Sequence, residues 1–292
     1  PEALAAFRAT AAEVRTNDPL RAASLLTDAV LSALQLGRVT DAQGIAAEAA
    51  ELARGADGWV GKQVRLAQTI TDTLAGGDEP RMSAAEMTAM LDDVNVSSLT
   101  TMSLVVGAAT SLWAEDYETF DVVMGAIVAK GRGTAPGELP LALVYRGHKA
   151  FRTGHTWAAA TADLTEAADL AASFSQQTVT SHAVAHHALI EASRGAEAAC
   201  RDLLRRGEEL IADTGTVSSA VHLREATGLL ALGLGDARGA VSTLRALDTL
   251  MAQLGVNEPN VTWHRANLAE ALAAVGRGDD ARVVADALYA NG

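Results

Sequence analysis

The 292-residue sequence predicts an all-α solenoid of about seven helix–turn–helix units, each of roughly 40 residues. Three observations carry that prediction. Hydrophobic residues make up 49% of the chain but aromatic ones only 4%, and alanine recurs throughout, a composition suited to closely packed helices. No stretch sustains the apolar–polar alternation of a half-buried strand. A turn signal followed by a helix rich in small residues returns at a nearly constant interval.

Taken in order, the units read as follows. Asp18-Pro19 opens the first, with Asp as an N-cap and Pro at the first helical position. Its two helices turn at Gly37 in "ALQLGRVTDAQGIA", where "TDAQ" (40–43) has the form of a capping box. The second unit turns near Gly77 in "TLAGGDEPRMSAAEM", and "SAAE" (83–86) is a second capping box. The third turns near Glu115 in "SLWAEDYETFDVV", without glycine. "KGRGTAPGELP" (130–140) then predicts a loop between units and not a domain boundary. The remaining turns fall at Gly154, Gly195, Gly235 and Gly276.

Successive landmarks at 37, 77, 115, 154, 195, 235 and 276 are thus 40, 38, 39, 41, 40 and 41 residues apart. Glycine at such a place can adopt the left-handed conformation that ends a helix. Small residues after the turns, Ala42, Ala159, Ala199, Ala240 and Ala281, let paired helices approach closely. Leu268, Leu272 and Val275 keep helical spacing in the last unit. One hairpin cannot bury its own apolar faces, so the units must stack. Residues 1–292 are therefore expected to form a single helical-repeat domain. The start at Pro1 suggests a piece of a longer protein.

Several function classes are disfavoured. A net charge of -13 repels phosphate backbones, which argues against direct nucleic-acid binding. The most basic stretch, "RDLLRRGEE" (201–209), mixes signs as a solvated helix face does. Cys200 is the single cysteine, so no internal disulfide can form, which fits a reducing cytoplasm. Its apolar surroundings predict a buried structural thiol. No apolar run is long enough for a membrane span. "GWVGKQ" (58–63) lacks both the leading glycine and the Ser or Thr of a nucleotide-binding loop. No G-x-S-x-G, H-E-x-x-H or paired-cysteine spacing occurs, so no enzyme and no cofactor is expected.

The helix–turn–helix period resembles that of tetratricopeptide repeats, although the ordinary repeat is shorter. Residues 230–288 carry a narrower likeness. The "GDARGAV" turn, the "LGVNEP" linker (254–259) and "NLAEALAAVGRGDDA" (267–281) resemble the repeat region of large LuxR-type (MalT-like) ATP-binding bacterial transcriptional regulators. The resemblance is best over 140–288. It implies a right-handed superhelix that lies between an ATPase module and a helix-turn-helix DNA reader. It also implies that the first helix of each pair lines the concave surface, and that this segment couples an inducer or partner protein to its neighbours. A free-standing scaffold for protein–protein interaction is the alternative.

On that concave surface the spacing picks out a row. His182 and His222 lie 13 residues before their turn glycines and His264 lies 12 before its own. Arg224 and Arg265 each lie 11 before. Arg146, His148 and His186 fall nearby, and Trp263 could add a flat apolar surface. Ser24, Val64 and Met102 hold the matching places in the first three units, so a site would lie in the C-terminal half. The candidate ligand-binding residues are thus His182, His186, His222, Arg224, His264, Arg265 and Arg146. Their chemistry suits an anionic or sugar-like inducer, or a peptide. His182 and His186 share a helix face, but a metal would need a further ligand such as Glu191 or His222, and no metal is expected. Apolar faces at the ends of an array would favour self-association.

Overall fold

The computed structural model describes residues 2–78, 80–154 and 156–290, the side chain of Ala290 excepted. Among them the chain forms fifteen α-helices, one short 3-10 turn and no strand. Helix α1 (Glu2–Val14) precedes seven pairs. These are α2 (Pro19–Gln35) with α3 (Val39–Leu52), α4 (Trp59–Leu74) with α5 (Ala84–Leu91), and α6 (Ser98–Trp113) with α7 (Tyr117–Gly133). After them come α8 (Leu139–Thr153) with α9 (Trp157–Ser173), α10 (Gln177–Ser193) with α11 (Glu197–Thr214), α12 (Val217–Gly233) with α13 (Ala237–Leu254), and α14 (His264–Ala274) with α15 (Gly278–Ala290). The all-α helical-repeat prediction therefore holds, and each pair turns at its landmark.

The turns share one backbone device. Gly37, Gly76, Gly154, Gly195, Gly235 and Gly276 all have positive φ, and so does Glu115, at 60°, where the pattern lacks a glycine. In the second unit the left-handed residue is Gly76, one place before the predicted Gly77. Asp18 accepts from the Arg21 N–H as an N-cap should. The "SAAE" capping box is complete, with Ser83 and Glu86 bonded reciprocally. The "TDAQ" box does not form. Helix α3 already begins at Val39, so Thr40 is helical and the N-cap position falls to Arg38, which has no oxygen to offer. The segment 130–140 is also more ordered than expected. Helix α7 runs to Gly133, residues 136–138 make the 3-10 turn, and α8 starts at Leu139.

The contacts divide the chain at that point into two compact units: residues 1–138 with 254–256, and residues 139–253 with 257–292. The sequence gives no boundary there. Within the first unit α2 packs on α4 and α4 on α6; within the second α8 packs on α10, α10 on α12 and α12 on α14. First helices thus form a continuous row in each unit. Core residues Ala185, Ala188, Leu189, Cys200, Leu204, Leu223 and Ala226 join α10, α11 and α12. Close approach depends on glycine at a few places. A Cβ on Gly228 of α12 would lie 2.6 Å from Cγ of the buried Leu244 in α13.

Hydrogen bonds between units of the repeat run close to its period. Ser24 bonds Gln63, Ser181 bonds Ser219 and His186 bonds His148, pairs that are 39, 38 and 38 residues apart. These separations fall one, two and three residues short of the local landmark spacings of 40, 40 and 41, so tiling brings nearly equivalent side chains face to face, which is what assembles the site.

Candidate functional site

Three inner helices of the second unit carry the site. Helix α8 supplies Tyr145, His148 and Arg152, α10 supplies His182 and His186, and α12 supplies His222 and Glu225. Within each helix these residues are three or four apart and so share a face. The packing of α10 between α8 and α12 then gathers them. His148, Arg152, His182, His186, His222 and Glu225 are all buried.

The imidazoles form a connected cluster. The His186 ring lies 4.6 Å from that of His148 and 4.2 Å from that of His222, and His148 meets His222 edge-on at 5.7 Å. Hydrogen bonds fix their tautomers. His186 Nδ1 lies 2.8 Å from the His182 carbonyl, which can only accept, so Nδ1 carries the proton. Its Nε2 is then an acceptor and takes the Nδ1–H of His148 at 3.0 Å. His182 Nε2 lies 3.1 Å from Ser218 Oγ, while its Nδ1 is buried without a hydrogen-bond partner.

Burial keeps this cluster neutral. Desolvation, with the neighbouring imidazoles and Arg152, holds His148 well below the ordinary histidine value. Burial and then His222 do the same to His186. His182 falls to about 3, through burial and then His186 and His222. His222 falls to about 4, through burial and then Arg152. Glu225 moves the other way, to about 7, because burial outweighs the Trp263 N–H, His264 and Arg152. His222 Nδ1 and Glu225 Oε2 are 3.5 Å apart, too far for a strong bond. With the acid raised and the imidazole lowered, the pair is neutral over most of the range below pH 7 and is not a salt bridge.

A segment without regular structure completes the site. Residues 257–263 belong to the connection, 255–263, between α13 and α14. Arg152 donates through Nη1 to the Asn260 carbonyl and through Nη2 to Asn260 Oδ1, the latter at 3.3 Å. Glu225 Oε1 accepts the backbone N–H of Trp263 at 2.6 Å. The Trp263 ring lies under the Arg152 guanidinium, 4.8 Å from its carbon, and 5.9 Å from Phe151. Phe151 in turn meets Trp157 at 6.2 Å.

No family model matches the chain, and no curated protein matches it. The site is therefore described by its own chemistry.

Of the predicted residues, His182, His186 and His222 come together. His264 is buried at the start of α14, where Thr262 Oγ1 lies 2.6 Å from its Nδ1 and Asp248 takes its Nε2–H at 3.1 Å. Arg265 also binds Asp248, at 2.7 Å, and Arg146 forms a two-pronged pair with Asp163 at 2.7 and 2.6 Å. Both guanidiniums thus tie an inner helix to an outer one. Arg224 is exposed. The row of donors expected on an open surface is instead a buried cluster partly covered by residues 257–263. Arg152, Glu225 and Tyr145 escaped the sequence reading. The signals for the first two were their places four after His148 and three after His222 on one helix face. Tyr145, whose hydroxyl burial pushes up to about 12, lies 6.3 Å from His186.

Cys200 matches its predicted structural role: it is buried, its Sγ faces the Ala188 carbonyl at 3.5 Å, and burial pushes the thiol up to about 11. Among the described residues no group of three or more His, Cys, Asp and Glu is arranged to hold a metal ion. Among them, too, no helix is long and apolar enough to cross a membrane.

Proposed function

We propose that the chain is a non-catalytic sensor or interaction segment whose inner surface in the second unit binds a ligand or partner. The observation that carries this reading is the buried polar cluster His148–His186–His222 with Arg152 and Glu225. Burying such groups carries a desolvation cost that hydrogen bonds must offset. Stacking does not require their burial. At the places of His182 and His222 the first compact unit has Ser24, Val64 and Met102, and there too the first helices pack in a row, α2 on α4 and α4 on α6. That unit buries hydroxyls and an amide, such as Thr27, Gln63 and Thr100, whereas the buried imidazoles, guanidinium and carboxyl belong to the second.

The arrangement suits binding better than catalysis. Ser218 and His182 are at hydrogen-bond distance, 3.1 Å, as a nucleophile and its base would be. A histidine at about 3 is far too weak a base near neutrality, and no group holds its Nδ1 in place. His186 uses both ring nitrogens inside the cluster, while the unpartnered His182 Nδ1 is left for a sugar hydroxyl or a peptide amide. We further propose that the segment belongs to a LuxR-type regulator and passes the binding event to attached ATPase and DNA-reading modules. The support is the repeat pattern of 230–288. The alternative, a free-standing scaffold, predicts neither module in the same reading frame.

The test is a thermal-shift screen with sugars, nucleotides and peptides. A ligand at about 100 times its Kd adds about 2.7 kcal/mol and raises Tm by several degrees. His222→Gln should abolish that shift while leaving the unliganded protein folded. Equal shifts in both proteins, or none with any class, would overturn the reading.

A further inference from the structure

Arg152 and Glu225 are a buried charged or chargeable pair from α8 and α12, and their hydrogen-bond partners in residues 257–263 are unusual. Glu225 takes a main-chain N–H, that of Trp263. Arg152 donates to a main-chain carbonyl and a side-chain amide, both of Asn260. The two residues therefore bracket a short stretch of peptide, one holding a carbonyl and the other an N–H three residues on. Backbone groups are common to every peptide, so only two features of the seated stretch are particular: the Asn260 amide and the Trp263 ring. That ring lies under Arg152 and meets Phe151 at a tilt, and Phe151 in turn meets Trp157.

The seated stretch has no helix or strand ladder of its own. Thr262 is buried within hydrogen-bond distance of His264, and Glu258 accepts the Asn260 N–H, but Trp263, the aromatic anchor, is still 38% exposed. Partly exposed segments outside regular structure open more readily than core helices. The surface beneath is made of helices α8, α10 and α12.

We propose that the inner surface of the second unit is a peptide-docking site occupied in cis by residues 257–263. Its external partner is a peptide of another protein that can take the same turn, which the Val261 N–H closes on the Glu258 carbonyl, and that presents an amide side chain and, three positions on, an aromatic ring. The partner's carbonyl replaces that of Asn260 on Arg152, its N–H replaces that of Trp263 on Glu225, and its ring replaces Trp263 against Phe151. The internal segment sets a threshold, because a partner must displace it. This inference rests on the reading that this surface binds ligands, and it names the class and the competitor.

The probe is a fluorescein-labelled peptide of sequence VNEPNVTW, residues 256–263 of the chain. Anisotropy is measured on wild type and on the opened double variant N260G/W263A, with helicity checked by circular dichroism. The opened variant should bind at least tenfold more tightly than wild type. Adding R152M to it, or changing Trp to Ala in the peptide, should weaken binding at least tenfold. A folded opened variant that does not bind, binds no better than wild type, or ignores R152M overturns the proposal. If the opened variant does not fold, wild type decides through hydrogen exchange with millimolar unlabelled peptide. Faster exchange of the Trp263 amide supports displacement, and unchanged exchange overturns it. A sugar or nucleotide that raises Tm while the peptide fails on every arm overturns the docking proposal alone and leaves the broader binding function standing.

Discussion

Glu115 and Ser175 show how strictly single residues serve the repeat. Both have left-handed φ, 60° and 57°, at turns where other units place glycine. A side chain there costs about 1–2 kcal/mol, and the glycine alternative loses about 0.4–1 kcal/mol in the unfolded chain. Glu115→Gly and Ser175→Gly should each stabilise the protein by about 0.5–1 kcal/mol. Gly235→Ala, at φ 82°, should destabilise it by about 1 kcal/mol or more. Thermal melts of the three variants check this, and a fall in Tm for both glycine variants would contradict it. At this scale the site was only half legible. His182 and His222 follow from counting back to the turn glycine. Arg152 and Glu225 are ordinary charged helix residues until the phase of each helix is known. The bonds to Asn260 and Trp263 involve main-chain atoms, which leave no mark in a sequence.

At the scale of the helix, the same residue type has opposite meanings on the two faces. Gly125 of α7 is exposed and a Cβ there meets nothing within 4 Å. Gly228 of α12 lies against Leu244 of α13, with atoms at 2.5 and 2.6 Å from an added Cβ. Leu244 is fully buried and cannot retreat freely. Gly125→Ala should therefore stabilise by about 1 kcal/mol through helix propensity alone. Gly228→Ala gains the same propensity but overpacks, at about 1–3 kcal/mol, and should be neutral to destabilising by about 2 kcal/mol. Chemical denaturation of the two variants separates these terms, and equal gains would show that α12 and α13 can move apart cheaply. The order and type of the helices were legible because the turn glycines recur and the small residues follow them. The failed "TDAQ" box marks the limit: the motif was present, but after the left-handed Gly37 helix α3 starts two residues too early for Thr40 to cap it.

For the whole molecule, the buried histidines set how stability responds to acid. His148, His182, His186 and His222 are all lowered by burial. Each is neutral when folded and takes a proton on unfolding once pH drops below its unfolded value of about 6.5. Their contribution is present above that pH and is lost as pH falls toward 4. Glu225, raised to about 7, and Asp28 of α2, raised to about 6 by burial, act in the opposite sense. These two hold their protons when folded, so their contribution is present at acid pH and lost as pH rises through 6 and 7. Between pH 6.5 and 4.5 these four imidazoles, with His187 and His264 lowered by burial in the same sense, oppose two carboxyls, and the imidazoles win. Each unopposed group changes stability by up to about 1.4 kcal/mol per pH unit. The protein should thus melt progressively lower from pH 6.5 down to 4.5. His186→Gln should flatten that slope by about one proton, because it removes one imidazole from the count. Calorimetry across pH 4.5–8 measures both slopes. Identical slopes would mean that the cluster is already solvated and charged in the folded protein, and the neutral hydrogen-bonded chain from His148 through His186 to the His182 carbonyl would have to be abandoned.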